Sequence, residues 1–254
     1  NGMSLIIFAS IVSQLPSQFG SSYQVTAGQG RLGQFVFLMV MFILMIVGII
    51  YVEQGQRRIP IQFAKRVRGR KVMGGQSTYI PLKVNSAGVI PVIFATSILF
   101  FPALVATSLP QDNNVTAAIR NWIDINLANS QGTTWFYVFF LGILIIFFTY
   151  FYTTIQFDPV RQSDMIRRQG GFIPGVRPGI STTNYLSHII NRITLPGSVF
   201  LASVAVLPSI ASVIWDIPLG FSGISILITV GVALETMKQI ESQLSMRNYE
   251  GFID

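Results

Sequence analysis

Cysteine is absent from the 254 residues, and histidine occurs once, at His188. No disulfide framework or thiolate metal site can form, and one imidazole offers neither a metal cluster nor a paired catalytic base. Charge is scarce too: Asp, Glu, Lys and Arg make up 11% of the chain, against 51% hydrophobic residues. Soluble domains carry about 25% charged residues. With less than half that share the surface cannot be made polar enough for water, which argues against a soluble protein and for an integral membrane protein. The chain also lacks an initiator Met and any basic stretch before its first apolar run. A signal peptide is therefore not expected, and the start reads as the inside of a longer protein.

What the chain has is apolar length. A membrane span needs roughly 20 apolar residues to cross about 30 Å of hydrocarbon. Six stretches qualify, 2–19, 32–52, 86–109, 133–157, 193–214 and 217–236, and Glu235, at the end of the sixth, is their one charged residue. The expected fold is an all-α membrane protein, a polytopic bundle of six transmembrane helices. Ser4, Ser10, Ser13, Gln14 and Pro16 interrupt the first stretch, which suits a helix facing protein or a water-filled cavity rather than lipid.

Seventeen basic residues against ten acidic ones give a net charge of +7. Their placement sets a topology. The loop over 53–85 carries Arg57, Arg58, Lys65, Arg66, Arg68, Arg70, Lys71 and Lys83, and the loop over 158–192 carries Arg161, Arg167, Arg168, Arg177 and Arg192. Two spans separate these loops, so both lie on one side, together with Lys238 and Arg247 beyond the sixth span. Only Arg31 and Arg120 fall opposite. The positive-inside rule then places both loops and both ends of the segment in the cytoplasm. On the opposite side, Val115, Ile119, Trp122, Ile123 and Leu127 recur near helical spacing, with Asn114 available as an N-cap. A short amphipathic helix on the membrane surface is expected, with Trp122 at headgroup depth.

In the first loop Ile59, Ile61 and Phe63 alternate with Pro60, Gln62 and Ala64, the period of a strand. Arg68-Gly69 supplies a turn, after which 72–80 can return as a second strand. Five basic residues between Lys65 and Lys71 crowd the tip of this hairpin. Two readings are open: a charge cluster that only orients the protein, or a docking tip that pairs with a polyanion such as RNA. In the second loop, residues 170–179 contain four glycines and two prolines, which specify tight turns. Arg177 sits between the two prolines, as a solvated arginine in a turn or as a docking residue held out on a stiff frame.

Four runs resemble a known family. They are Tyr51-Val52-Glu53-Gln54-Gly55-Gln56-Arg57-Arg58-Ile59-Pro60, Gln76-Ser77-Thr78-Tyr79-Ile80-Pro81-Leu82-Lys83-Val84-Asn85, Ala87-Gly88-Val89-Ile90-Pro91 and Gly171-Phe172-Ile173-Pro174-Gly175-Val176-Arg177-Pro178-Gly179. In these runs and over essentially its whole length the chain resembles the SecY family, pore-forming subunits of the bacterial Sec protein-translocation channel. The resemblance implies a ten-span clamshell of which residues 1–254 form the C-terminal part, spans five to ten. The first four helices, including the segment that plugs the resting pore, would lie in a missing N-terminal half.

The resemblance also implies the function: moving unfolded preproteins across the plasma membrane, and hydrophobic segments sideways into it. It implies an aliphatic pore ring from Met3, Ile7, Ile93 and Ile228, Met3 standing where isoleucine is more usual. Pro91 and Pro102 would interrupt the hydrogen bonding of a lateral-gate helix so that it can bend. Arg66, Arg68, Arg70, Lys71 and Arg177 would dock the ribosome and the SecA motor ATPase. SecE, SecG, the signal peptide, the nascent preprotein and membrane lipids are the further implied partners. No cofactor, metal or catalysis is implied, and with no nucleotide-binding loop the energy must come from a partner.

Two rival classes are weighed against this. A secondary transporter usually carries ionisable groups inside the bilayer, and these spans have none at midplane. An intramembrane enzyme needs a nucleophile and base at bilayer depth, whereas His188 lies at the foot of the fifth span.

Overall fold

In the computed structural model, the described residues are 2–28, 30–63, 66–68, 71–73, 77–108, 114–127, 134–215 and 222–250. Six long helices form the bundle: α1 (Gly2–Gly28), α2 (Leu32–Gln54), α3 (Ile90–Thr107), α5 (Trp135–Gln156), α7 (Ile180–Trp215) and α8 (Gly223–Glu250). Two short helices, α4 (Asn114–Asn126) and α6 (Pro159–Arg168), lie between them. Among the described residues five helices are long and apolar enough to cross a membrane, and they cover the second to sixth expected spans. The first expected span falls on helix α1, which continues to Gly28 and is not one of those five.

One of the polar interruptions of that first span, Ser13, and further hydroxyls along α1 are satisfied inside the helix. The hydroxyls of Ser13, Ser17 and Ser21 donate to carbonyls three residues back at 2.8–2.9 Å, and buried Thr26 donates to Ser22 at 2.8 Å. A hydroxyl bonded to its own backbone can sit at membrane depth without an outside partner.

One expectation is corrected. Pro91 does not interrupt a helix: α3 begins at Ile90, so the proline falls in the first turn, buried. The amide hydrogen it lacks has no intrahelical partner there in any case, and its fixed φ favours starting the helix. Pro102 does lie inside α3.

The loop over 158–192 is mostly ordered. Asp158 caps α6, accepting from the Val160 amide at 2.9 Å, and Pro159 opens it. A two-residue strand, β5 (Gly171–Phe172), follows, and α7 has already begun at Ile180. The first loop gives β1 (Gln56–Phe63), β2 (Arg66–Arg68), β3 (Lys71–Met73) and β4 (Ser77–Lys83). The expected return strand over 72–80 is thus two strands, and the turn at Gly69 lies outside the described residues. β1 pairs antiparallel with β4 on one side, Ile59 opposite Ile80, and with β5 on the other, Gln62 opposite Phe172. The two loops therefore meet in one three-stranded sheet. Its alternating isoleucines, Ile59 and Ile61, are buried with Leu82, Ile166, Ile173, Leu186 and Ile189 in a cluster separate from the bundle core. On edge strand β4, Pro81 removes an amide donor and blunts that edge against further pairing.

At the far end of the bundle, α4 is helical as expected. Ile119, Trp122 and Ile125 are exposed, Arg120 and Asp124 pair at 3.8 Å, and the Trp122 ring meets Phe136 of α5 edge-on at 5.7 Å.

Candidate pore cavity and docking face

A cavity of about 450 Å³ opens where α1, α3 and α8 converge beneath the sheet. Ile7, Ile93 and Ile228, each from a different one of those helices, line it. Ile7 and Ile93 are 45% and 46% exposed, so the aliphatic groups face open space rather than packed neighbours. Met3 lies on α1 four residues before Ile7, and its side chain is outside the described set.

The cavity wall changes chemistry along α8. Ile228, Gly231, Val232, Glu235 and Lys238 line it at helical spacing. Seven residues at 1.5 Å each put Glu235 about 10 Å along the axis from Ile228. Glu53 at the end of α2, Lys83 at the end of β4 and Gln156 at the end of α5 complete the polar mouth. The result is a funnel, charged toward the sheet and aliphatic below.

The sequence reading named the three isoleucines but used Lys83 and Lys238 only to set orientation and gave Glu53 and Glu235 no role. Their common signal was position at the apolar–polar boundary of successive spans. It could be found once the spans were drawn.

Arg177 is exposed in the turn after β5. Gly175 and Gly179, at φ +81° and +113°, give the chain the left-handed bends on either side of it. Thr182 donates to the Arg177 carbonyl at 2.9 Å and Ser163 to the Gly179 carbonyl at 3.1 Å, so the frame is bolted to α6 and α7. Among the described residues no carboxylate comes within ion-pair distance of Arg177. Arg66, Arg68 and Lys71 stand on the β2–β3 ribbon, with their side chains outside the described set, and Arg70 lies outside the described residues. Because β5 joins β1, the strand that leads into the ribbon and the strand that leads into the Arg177 turn belong to one sheet.

The fold is that of a polytopic helical membrane protein with a cavity that is aliphatic at one end and charged at its mouth. The comparisons with known proteins define it further. The SecY family model matches residues 1–237, and the chain belongs to the SecY family. It is 48% identical over 259 residues to the protein translocase subunit SecY of Streptomyces scabiei, covering 100% of this chain and 57% of that protein. The corresponding subunit of Mycobacterium tuberculosis is 44% identical over 261 residues, with 100% and 57% covered. That of Thermus thermophilus is 47% identical over 255 residues, with 100% and 56% covered. The chain thus spans a little over half the length of these curated relatives.

Two solved structures share the fold. One concerns the plug domain of SecY and the closed state of the translocation channel, with a TM-score of 0.59. The other is a protein-conducting channel, with a TM-score of 0.58. Each is 16% identical to this chain and covers 95% of it and 59% of the other chain.

Proposed function

We propose that this chain forms the C-terminal part of the central subunit of a protein-conducting channel in the bacterial plasma membrane. It moves unfolded preproteins across the bilayer and releases hydrophobic segments sideways into lipid. The family membership supports the channel. The observation that carries the pore is the single cavity lined by Ile7, Ile93 and Ile228. In this reading these residues and Met3 are the C-terminal contribution to an aliphatic seal, and the rest comes from the helices beyond the 57% of the relatives' length matched here.

The sheet end is cytoplasmic in this reading, as are both ends of the segment. Arg66, Arg68, Arg70, Lys71 and Arg177 dock the ribosome and the SecA motor, which supplies the energy; SecE and SecG complete the complex. α3, which carries Ile93 and is interrupted by Pro102, borders the lateral gate toward lipid, where signal peptides leave. No catalysis is assigned to the chain.

The test is Ile93→Asn and Ile228→Asn in the complete channel, with assembly yield and resting conductance measured together. An asparagine facing water leaves assembly intact, while one buried without partners destabilises the bundle. The expected result is normal assembly, a raised resting conductance and export of substrates with defective signal sequences. Lost assembly with no rise in conductance would return both isoleucines to the packed core.

A further inference from the structure

The hairpin leaves the bundle at the end of α2 and returns at the start of α3, and one buried side chain ties the two points together. Asn85 is 5% exposed. Its Nδ2 donates to Glu53 Oε2 at 3.0 Å and to the Gly88 carbonyl at 3.2 Å. Glu53 belongs to the last turn of α2, and Gly88 to the turn that opens α3. The same root is held twice more: the Val84 amide donates to the Gly55 carbonyl at 3.0 Å, and a Cβ on Gly197 of α7 would come 2.6 Å from the Val84 carbonyl. Both of these act on the end of β4. Among the described residues, Asn85 is the side chain hydrogen-bonded to both α2 and the α3 turn.

We propose that Asn85 is a positioning residue, a latch that fixes the first turn of α3 against the end of α2 and so holds Ile93 at the constriction. Three facts carry this. Ile93 lies three residues into α3, one turn from the latched end. Asn85, Glu53, Gly88 and Ile93 all line the same cavity. The Asn85 Oδ1 is buried with no hydrogen-bond partner, a cost that an apolar residue of similar volume would not carry. The side chain therefore contributes through its Nδ2 bonds, one of them to a carboxylate. A bond to a charged acceptor is stronger than a neutral one, so the link to Glu53 is the firmer of the two.

The inference rests on the reading of Ile93 as a pore residue, and the experiment separates the two. In the complete channel, Asn85→Asp sets two carboxylates face to face and removes the donor. Loss of a hydrogen bond to a charged group changes a two-state equilibrium by about tenfold or more. Resting conductance in planar bilayers is expected to rise about tenfold in Asn85→Asp at normal assembly. The exchanged pair Glu53→Gln with Asn85→Asp, which rebuilds an amide–carboxylate bond, is expected to recover most of the seal. A purely structural role would lower assembly and leave conductance per channel unchanged. Wild-type conductance in Asn85→Asp, or an exchanged pair no tighter than the single variant, overturns the latch. Where Asn85→Asp fails to assemble, Glu53→Gln alone decides: a smaller leak supports the latch, and wild-type conductance overturns it. Ile93→Asn run alongside separates the failures. If it leaks while the Asn85 series stays tight, only the latch is wrong; if it too stays tight, the pore reading and the latch fall together.

Discussion

The two buried clusters of this chain are held by different physics. In the bundle the buried positions include Ala95, Ala103, Ala106, Ala202, Ala205, Ala211, Thr149 and Ser198, while Leu44, Phe101 and Phe139 point outwards at 66%, 66% and 68% exposure. Lipid tails are as apolar as leucine, so burying a large side chain between helices gains little, and small residues let backbones approach closely. At the sheet end the outer face is different. Ile59, Ile61, Leu82, Ile166, Ile173, Leu186 and Ile189 are inside, and Arg57, Arg58 and Arg177 are outside. There water drives apolar burial in the ordinary way. One chain folds in two solvents: large aliphatic side chains such as Ile49, Leu141 and Ile145 are buried in the bundle too, but only there do such side chains also cover the outer face.

The contrast can be broken by three substitutions of decreasing expected effect. Ile59→Ala truncates a 2%-exposed side chain in the water-driven cluster and is expected to cost about 2–5 kcal/mol of local stability. Hydrogen exchange across β1 and β4 in the assembled channel reads it, with the bundle amides unaffected. Ala205→Leu enlarges a 2%-exposed position between helices, and overpacking there is expected to cost about 1–3 kcal/mol, read as a lower melting temperature in detergent. Phe139→Ala removes more atoms than either change alters, from a side chain that faces outwards. It is expected to shift stability by no more than about 0.5 kcal/mol, in the same melting assay. A loss as large as that of Ile59→Ala would mean that Phe139 is covered by protein rather than lipid, and the two-solvent account would fail on that face.

The same division explains what could be read from the sequence. Hydropathy over a bilayer's thickness is a long-window signal: the second to sixth expected spans fall on helices long and apolar enough to cross a membrane, and the first falls on helix α1. Period-two alternation at Ile59, Ile61 and Phe63 found β1. The strand β5 was not legible, because two residues carry no period and its partner lies over a hundred residues away. The helix α6 was missed although its signals were present: Asp158 as cap, Pro159 in the first turn, and Arg167 and Arg168 in the last. The hydrophobic reading had already assigned that stretch to a loop. The Asn85–Glu53 bond joins residues 32 apart across a hairpin, and no pattern in either neighbourhood announces it. The isoleucines of the cavity were singled out by resemblance alone, since an isoleucine at a constriction and one in a core look alike in sequence.

Helix α7 carries a consequence for the height at which anything can dock. Its 36 residues measure about 54 Å at 1.5 Å each, well beyond the about 30 Å of a hydrocarbon core. The stretch from Pro196 to Trp215 is 20 residues, about 30 Å, and fills that core by itself. The sixteen residues from Ile180 to Leu195 then form a stanchion about 24 Å tall. The Arg177 turn sits at its tip and the isoleucine cluster braces its side. Pro196 lies one hydrocarbon-core length, about 30 Å, from the Trp215 end of the helix. A proline frees the carbonyl four residues before it, here that of Arg192, and at this level headgroup water can hydrate the oxygen.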